Sequence, residues 1–300
     1  MKISGFSFIR NGIKFRYPFI QSIQSILPIC DEFIIAVGNS DDGTREAIET
    51  IASPKIKIID TIWDDSIRDG GKILAQQTDI AFNEISGDWG FYLQGDEVVH
   101  ENDLQKIKDG AIKYLNDKKI DGLLFSWLHF FGNYNYVAKQ KSRGIYPYEV
   151  RMIKNNKLIK SFRDAQGFRK YSLEQKLQQI KNPELLTVKK IDATIFHYGK
   201  VRGPVQELER AKSFHSLWHN DAWVKKNLEK QTEFDYSCKF PLVKFNGSHP
   251  SVMAERIKNE NWNFIPENKN IQIPIKYKLL NSIESLTGIR PYEFKNYKLK

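Results

Sequence analysis

The sequence has very little cysteine and no long uninterrupted apolar run. Its only cysteines, Cys30 and Cys238, are far apart, and neither belongs to a Cys-x-x-Cys pair. This excludes a disulfide framework or a cysteine-based zinc site and is typical of a reducing compartment. No segment approaches the length of uncharged apolar sequence that crosses a bilayer. The apolar run at the N-terminus is too short for a signal peptide and is interrupted by Arg10. We therefore expect a cytoplasmic protein, with the cytoplasmic face of a membrane as the alternative location.

The chain is long enough to bury a substantial core, and it is basic. Its 300 residues, of which 41% are hydrophobic, are enough for one large domain or two modest ones. The formal net charge is +10, and residues 201–300 contain 17 Lys or Arg against 11 Asp or Glu. A basic balance favours anionic partners such as nucleotide phosphates or acidic lipid. Because no stripe of basic and aromatic residues resembles a nucleic-acid-binding module, we expect no nucleic-acid partner.

Strand-like and helix-like segments alternate over the first 130 residues. Predicted strands cover 3–9, 32–37, 55–60, 90–93 and 121–131, and predicted helices follow Pro18 and cover 44–52, 70–86 and 104–115. The apolar face of the last helix is formed by Leu104, Ile107, Ala111, Ile112 and Leu115. This alternation predicts an α/β fold with a mostly parallel sheet and flanking helices. Polar turns between apolar stretches predict an antiparallel extension from about 120 to 200. The chain is helical and charged from Pro204, so we divide it into a 1–203 domain and a 204–300 helical region.

Acidic residues follow several predicted strands. Asp41 and Asp42 come after the second strand, and Asp96 and Glu97 follow the apolar run that ends at Leu93. Ligands of such sheets bind outside the carboxyl ends of the strands. A divalent cation held by carboxylates can neutralise a leaving diphosphate. Asp96 is the better ligand candidate and Glu97 the second; the alternative is a solvated acidic cap.

Two further motifs have both a functional and an ordinary structural interpretation. His197 ends an apolar strand in FHYGKVRGP (196–204) and is a metal ligand only if it converges on Asp96. An imidazole suits manganese better than magnesium. Arg202 is either a phosphate contact or a surface arginine. Gly70 and Gly71 precede a helix, where the backbone can approach a phosphate, or they mark a plain turn.

The order and spacing of these motifs resemble family 2 glycosyltransferases with the GT-A fold. The resemblance rests on RNG after the first strand, then NSDDGT, GGK, GDWGFYLQGDEVV, HYGKVR and FNGSHPSVM, and covers roughly residues 3–255. It is closest to the branch with LDADE-like and HYG-x-VR-like motifs. It implies an inverting, hexosyltransferase-type enzyme of polysaccharide biosynthesis. Such an enzyme moves a sugar from a nucleoside-diphosphate sugar to a hydroxyl of a glycan or lipid-linked acceptor, with Mn²⁺ or Mg²⁺.

The resemblance also implies site residues. The second acid of the family's motif, which holds the metal, maps to Asp96, and the family's late histidine maps to His197; Glu97 is the second ligand candidate. The donor site maps to Arg10, Asn39, Asp41, Asp42, Gly70, Gly71, Lys72, Gln94 and Arg202. Two positions depart from the family pattern: Gln94 replaces the leading aspartate of the acidic motif, and Gly38-Asn39 replace an acidic pair. Both departures remove negative charge: Gln94 lacks the charge that usually reaches the ribose or a metal-bound water, which bears on metal binding, and Gly38-Asn39 leave the nucleotide base undetermined.

Inversion also requires a general base on the acceptor side. Asp164, in the polar turn of SFRDAQGFRKY (161–171), is the expected base or else a plain turn residue. Glu149 and Glu101 are the other candidates.

Two other functions and several contacts remain open. A nucleotidyltransferase would need a glycine-rich basic loop after the first strand, whereas RNGIKFR has one glycine. A metal-less glycan-binding protein is the second alternative, which Gln94 favours. The tail tryptophans Trp218, Trp223 and Trp262 either cover the acceptor cleft, rest on anionic lipid or belong to the core. A homo-oligomer is also open.

Overall fold

A computed structural model describes residues 1–140, 142–172, 183–238, 240–267, 271, 273–288 and 290–300. The strands are β1 (Ile3–Ile9), β2 (Glu32–Gly38), β3 (Ile56–Thr61), β4 (Trp89–Tyr92), β5 (Glu97–Val99), β6 (Gly122–Gly132), β7 (Tyr136–Ala138), β8 (Tyr148–Lys154), β9 (Ile159–Ser161), β10 (Phe168–Lys170), β11 (Glu184–Leu185), β12 (Thr187–Val201), β13 (Leu242–Lys244) and β14 (Lys298–Leu299). The α-helices are α1 (Phe19–Ile26), α2 (Thr44–Glu49), α3 (Lys72–Asn83), α4 (Leu104–Tyr114), α5 (Pro204–Ser216), α6 (Asp221–Val224), α7 (Ala254–Glu260) and α8 (Ile275–Thr287). Short 3₁₀ turns cover Glu101–Asp103 and Ser251–Met253, and a π-helical turn covers Lys225–Glu229.

The core of the fold is a parallel sheet in the order β3-β2-β1-β4. The inner strands are mostly apolar on both faces, whereas the edge strand β3 carries the exposed Lys57 and Asp60, and β2 shows how the two faces are filled. Phe33 and Ile35 pack into the cluster on one face, and Ile34 and Ala36 pack into the cluster on the other. Successive side chains of a strand point to opposite faces, so a continuous apolar run is what a sheet covered on both sides requires.

Helices cover both faces of this sheet. Phe19, Ile23 and Ile26 of α1 pack in one cluster with Ile107 of α4. Helix α3 packs in the cluster on the other face. The predicted helices are present at slightly narrower bounds. Ile112 was predicted to lie on the buried face of α4, but it is 55% exposed, because that buried face is narrower than predicted.

The sheet continues with antiparallel strands beyond β4. β8 pairs antiparallel with β4 and with β6, and β12 runs parallel to β6 and antiparallel to β5. The predicted α/β class is therefore confirmed, with its mostly parallel sheet, flanking helices, antiparallel extension and helical C-terminal region.

Two strands beyond residue 203 were not expected from the sequence. β13 pairs with β7, and β14 pairs with β12. The 204–300 region is thus hydrogen-bonded to the main sheet, and the boundary at 203 stays a prediction. Among the described residues, no helix combines the length and apolar character needed to span a bilayer.

Candidate active site

Strand pairing brings Asp96 and His197 together although they are 101 positions apart in the chain. β4 ends at Tyr92, and a turn carries the chain through Asp96 into β5. The antiparallel pairing of β5 with β12 places His197 opposite Glu97, and the backbone N–H of Tyr198 donates to the carbonyl of Asp96 at 2.8 Å. As a result, His197 Nε2 lies 3.6 Å from Asp96 Oδ2.

This pair lies in the wall of a cavity of about 720 Å³ at the carboxyl ends of the parallel strands. A cavity of this size is typical of small-molecule sites, and its position is the one expected of ligands in an α/β sheet. Six of the residues singled out in the sequence line it: Arg10, Gln94, Asp96, Glu149, Asp164 and His197. The rest of the wall is rich in aromatic side chains, among them Trp63, Trp127, Tyr146, Phe294 and Tyr297.

A second histidine controls which nitrogen of His197 carries its proton. His129 Nε2 lies 2.8 Å from the carbonyl oxygen of Tyr146, and a carbonyl only accepts, so this nitrogen is the donor. Burial and the neighbouring His197 lower the pKa of His129 to about 3, so His129 is neutral. Its Nδ1 is then an acceptor, and it lies 3.0 Å from Nδ1 of His197. His197 must therefore donate from Nδ1. In its neutral form its Nε2 then has a lone pair that faces Asp96, and in its protonated form Nε2 donates to Asp96.

A carboxylate and a lone pair that face each other at 3.6 Å repel unless a cation or a proton lies between them. Burial opposes ionisation of Asp96, but His197, Arg202 and Arg210 outweigh it and hold its pKa at about 2. A carboxylate oxygen and an imidazole nitrogen are suitable ligands for Mn²⁺. Within the described residues no group of three or more His, Cys, Asp or Glu side chains is arranged to hold a metal. A cation here would therefore need further oxygens from a bound substrate.

Gly199 keeps the space beside the pair open. A Cβ at this position would lie 2.5 Å from His197 Nε2 and 2.8 Å from Asp96 Oδ2, closer than any real contact. The pairing of β12 with β6 is irregular between His197 and Lys200, so the strand is locally distorted at this glycine. The residues present thus fit a small cation, because a cradle that a methyl group would fill lies next to both candidate ligands.

A cluster of cations lies next to the pair, on β12 and α5. Buried Glu207 accepts from Lys200 at 2.8 Å, from Arg202 at 3.1 Å and from Arg210 at 2.6 Å. Burial opposes its ionisation, but the three cations hold the pKa of Glu207 at about 2. One carboxylate faces three positive charges, so the cluster has a net charge of +2. Lys200 and Arg210 line the cavity.

Arg202 lies behind the wall of the cavity and is almost fully buried. Its guanidinium donates to the carbonyls of Phe15 and Gly199, while Nη2 has no partner in the part of the chain that the structure describes. A buried donor without a partner is costly. An anion or ordered water at this position would satisfy it.

Asp164 lines the cavity on the side of α3. Its Oδ1 is buried and has no hydrogen-bond partner among the described residues, and burial raises the pKa of this carboxyl. The neighbouring residues Arg163 and Ala165 have positive φ angles of 55° and 60°, so the turn that presents Asp164 is strained. Gln94 Nε2 lies 3.4 Å from the carbonyl of Ala165, which connects this turn to the acidic motif.

Glu97 and Glu149 belong to a buried network around Arg151. Arg151 donates to Glu97 at 2.7 and 2.8 Å, and its guanidinium lies between the rings of Tyr92 and Trp127. Glu97 is fully buried in this ion pair, which orients its carboxylate away from the role of a metal ligand. Burial raises the pKa of Glu149 to about 7, although Arg151 at 3.8 Å opposes the shift.

The other residues assigned from the sequence do not line the cavity. Asn39 accepts from the backbone of Trp63, and Asp41 is exposed. Asp42 accepts from Thr44 N at 3.1 Å and from Lys14 N at 2.7 Å, so its carboxylate holds the loop before α2 in place.

Other residues of the protein pack against the glycine turn before α3. The N–H of Gly71 donates to the carbonyl of Leu217, and a Cβ on Gly71 would meet Asp164 and Trp218. Gly70 has open space around it, and Lys72 pairs with Asp69. Glu101 accepts from the N–H of Ser251 and does not line the cavity.

The tail tryptophans have local partners. Trp223 stacks on His219 with ring centroids 3.8 Å apart. Trp262 packs against a third apolar cluster, which includes Phe130, Phe196 and Met253, and its carbonyl accepts from Asn133.

Several residues of the site escaped the sequence analysis. No sequence pattern indicated a functional role for four of them: His129, Arg151, Lys200 and Arg210. The one available signal was His129 as a polar residue inside the apolar strand WLHFF. A buried polar side chain needs a partner.

A scan against protein-family models gives no match, and no curated protein matches this sequence. Similar solved structures include S. aureus TarS, which is 14% identical with a TM-score of 0.37. The match covers 77% of this chain and 41% of the TarS chain, so this chain spans less than half the length of TarS. A shorter TarS structure in complex with UDP is 13% identical over 77% of this chain and 68% of its own, with a TM-score of 0.39. The glucosyl-3-phosphoglycerate synthase from Mycobacterium tuberculosis in complex with Mn²⁺, UDP and phosphoglyceric acid is 17% identical over 43% of each chain, with a TM-score of 0.30. Similarity at these values is too distant to carry an argument about activity.

Proposed function

We propose that this protein is an inverting glycosyltransferase of the GT-A type that moves a hexose from a nucleoside-diphosphate sugar to a hydroxyl of a glycan or lipid-linked acceptor. The observation that carries the proposal is the approach of Asp96 and His197 to 3.6 Å in the wall of a cavity. This pair lies next to a cationic cluster of net charge +2. Such a combination suits a diphosphate, which needs both a cation and positive side chains to leave.

Asp96 and His197 would hold the divalent cation, Mn²⁺ or Mg²⁺, and diphosphate oxygens would complete its ligands. The bound cation would offset the charge that develops on the leaving nucleoside diphosphate. His129 holds the His197 ring in the tautomer that presents Nε2. Lys200 and Arg210 neutralise the remaining phosphate charge, and Glu207 holds them in position.

Asp164 is the residue we assign as general base. Its unpartnered, buried Oδ1 is free to accept the proton of the acceptor hydroxyl, and its raised pKa makes the carboxylate a stronger base. The aromatic side chains of Tyr146, Phe294 and Tyr297 on the cavity wall would bind the acceptor. Glu149 is the second candidate for the base because burial raises its pKa to about 7.

Two variants test the proposal against a panel of nucleoside-diphosphate sugars with Mn²⁺. We expect Asp96→Ala to lose Mn²⁺-dependent donor binding and transfer while its melting temperature stays close to that of the wild type. We expect Asp164→Asn to keep donor binding and to lose transfer by about 100-fold or more, the usual contribution of a general base. Full transfer by Asp96→Ala would overturn the function. Unchanged turnover of Asp164→Asn would move the base role to Glu149.

A further inference from the structure

Helix α8 exposes an apolar stripe. Ile275, Leu279 and Ile283 follow each other at four-residue spacing, and Leu286 extends the row. All four are exposed, with Ile275 at 77% and Leu286 at 85%. At about 100° per residue they fall within an arc of about 80° on the helix surface. A contiguous exposed stripe of this kind marks an interaction surface more often than a single exposed leucine does.

The orientation of α8 is fixed by the opposite face of the helix. Leu280 is buried, and Arg143 donates to its carbonyl and to the Asn281 side chain. Glu284 pairs with Arg143 at 3.2 Å and with Arg290 at 3.0 Å. Because these contacts hold one face against the protein, the apolar stripe cannot turn inward without breaking a half-buried ion pair network.

Lysines border the stripe on both sides. In the first half of α8, the exposed Lys276 flanks Leu279 on one side of the stripe, and the exposed Lys278 flanks Ile275 on the other side, each at a spacing of three residues. Residues 275–300 contain six Lys or Arg and two Asp or Glu. Both acids, Glu284 and Glu293, pair with Arg290. The outward surface of α8 is therefore apolar along its centre and is bordered by positive charge in its first half, within a segment that has an excess of basic residues.

We infer that α8 is a docking surface for an anionic lipid bilayer, on which the helix lies in the plane of the headgroups. Apolar side chains of such a helix enter the boundary between headgroups and acyl chains, and lysine stems extend along it so that the ammonium groups reach the phosphates. A second copy of the chain fits this face less well. Two-fold pairing with parallel helices would bring Lys276 and Lys278 of both copies together, and in either orientation two segments with an excess of basic residues would face each other, which like charges oppose.

The same segment reaches the cavity. Phe294 and Tyr297, which follow α8, line its wall, and the ring of Phe294 lies 5.7 Å from that of Tyr146 at the rim. A lipid surface at α8 would therefore place membrane-bound acceptors near the site; this consequence rests on the proposed function, whereas the surface itself does not.

Sedimentation with vesicles tests the inference on the full chain. The probes are phosphatidylcholine vesicles with and without about one third phosphatidylglycerol, at low and high ionic strength. We expect the wild type to bind the anionic vesicles preferentially and in a salt-sensitive manner. Leu279→Ser with Ile283→Ser should weaken partitioning by about 30-fold or more. Lys276→Gln and Lys278→Gln should each weaken it by about fivefold.

The matched control is Ile112→Ser, which removes an equally exposed isoleucine from α4, outside the stripe. It should leave partitioning unchanged. Circular dichroism and donor binding on every variant separate loss of lipid binding from misfolding and from failure of the proposed function. Absence of binding to anionic vesicles, or equal binding by the stripe variant, would overturn the inference. So would a wild-type dimer that the stripe variant converts to a monomer without any vesicle binding, since a second copy would then cover this face.

Discussion

Gly199→Ala places one methyl group in the space beside the candidate metal ligands. The new Cβ would lie 2.5 Å from His197 Nε2 and 2.8 Å from Asp96 Oδ2. Ordinary contact begins near 3.4 Å, so the two ligand atoms would have to retreat by about 0.9 and 0.6 Å respectively. Ligand distances in a metal site tolerate only about 0.2 Å. The substitution should therefore lower Mn²⁺ affinity by about 100-fold, or about 2.7 kcal/mol.

The fold should survive this change. Gly199 is not among the glycines with a left-handed backbone, so alanine can adopt its conformation. His197 and Asp96 are side chains that can shift, unlike a neighbouring backbone. We expect a melting temperature close to that of the wild type and a loss confined to the metal and to metal-dependent nucleotide binding.

The assay is Mn²⁺ binding by electron paramagnetic resonance or calorimetry, with a nucleoside diphosphate present. Gly203→Ala is the matched control, because its Cβ would meet only the flexible side chain of Gln206. Affinity of Gly199→Ala within threefold of the wild type would refute the reasoning, since it would show that the ion does not bind between these two side chains.

Two further predictions concern a tautomer and a buried acid. His129→Leu removes the acceptor for His197 Nδ1, so it should change the His197 tautomer, measured by ¹⁵N shifts of the metal-free protein, and weaken Mn²⁺ binding by about 10–100-fold. His129→Asn has an amide oxygen that can accept in place of the His129 Nδ1, so it should restore both properties. An unchanged tautomer in the leucine variant would contradict the assignment. Burial raises the pKa of Asp79 to about 6, against the opposing effects of the Ser161 N–H and Lys160. A raised acid pKa means that ionised Asp79 destabilises the folded state fully above pH 6, and that this cost disappears as pH falls from 6 towards 4. Asp79→Asn should therefore be more stable than the wild type by up to about 3 kcal/mol at pH 8 in urea unfolding, and a gap that does not narrow below pH 6 would exclude this explanation.

The sequence by itself determined the fold class. Continuous apolar strands such as that of Phe33 to Val37 can only be buried on both faces, and the intervening helices then have to cover them. The sequence also predicted that Asp96 would emerge at the carboxyl edge of the sheet, because it follows directly on a buried strand. The fold class and the position of Asp96 are local properties, because the alternation of side chains along a strand and the end of that strand depend on consecutive residues.

Only the tertiary structure decided which neighbours of Asp96 belong to the site. Asp96 faces His197, while the adjacent Glu97 pairs with Arg151, and Glu101 accepts from the N–H of Ser251. The partnership of Asp96 with His197 and His129 depends on the register of β12 against β5 and β6. A shift of one residue in that register would exchange the faces of the strand. Strand register is set by packing between segments far apart in the chain, so the residues alone left the approach of His197 to Asp96 open and only the family resemblance implied it, while nothing in the sequence indicated His129 as the third member.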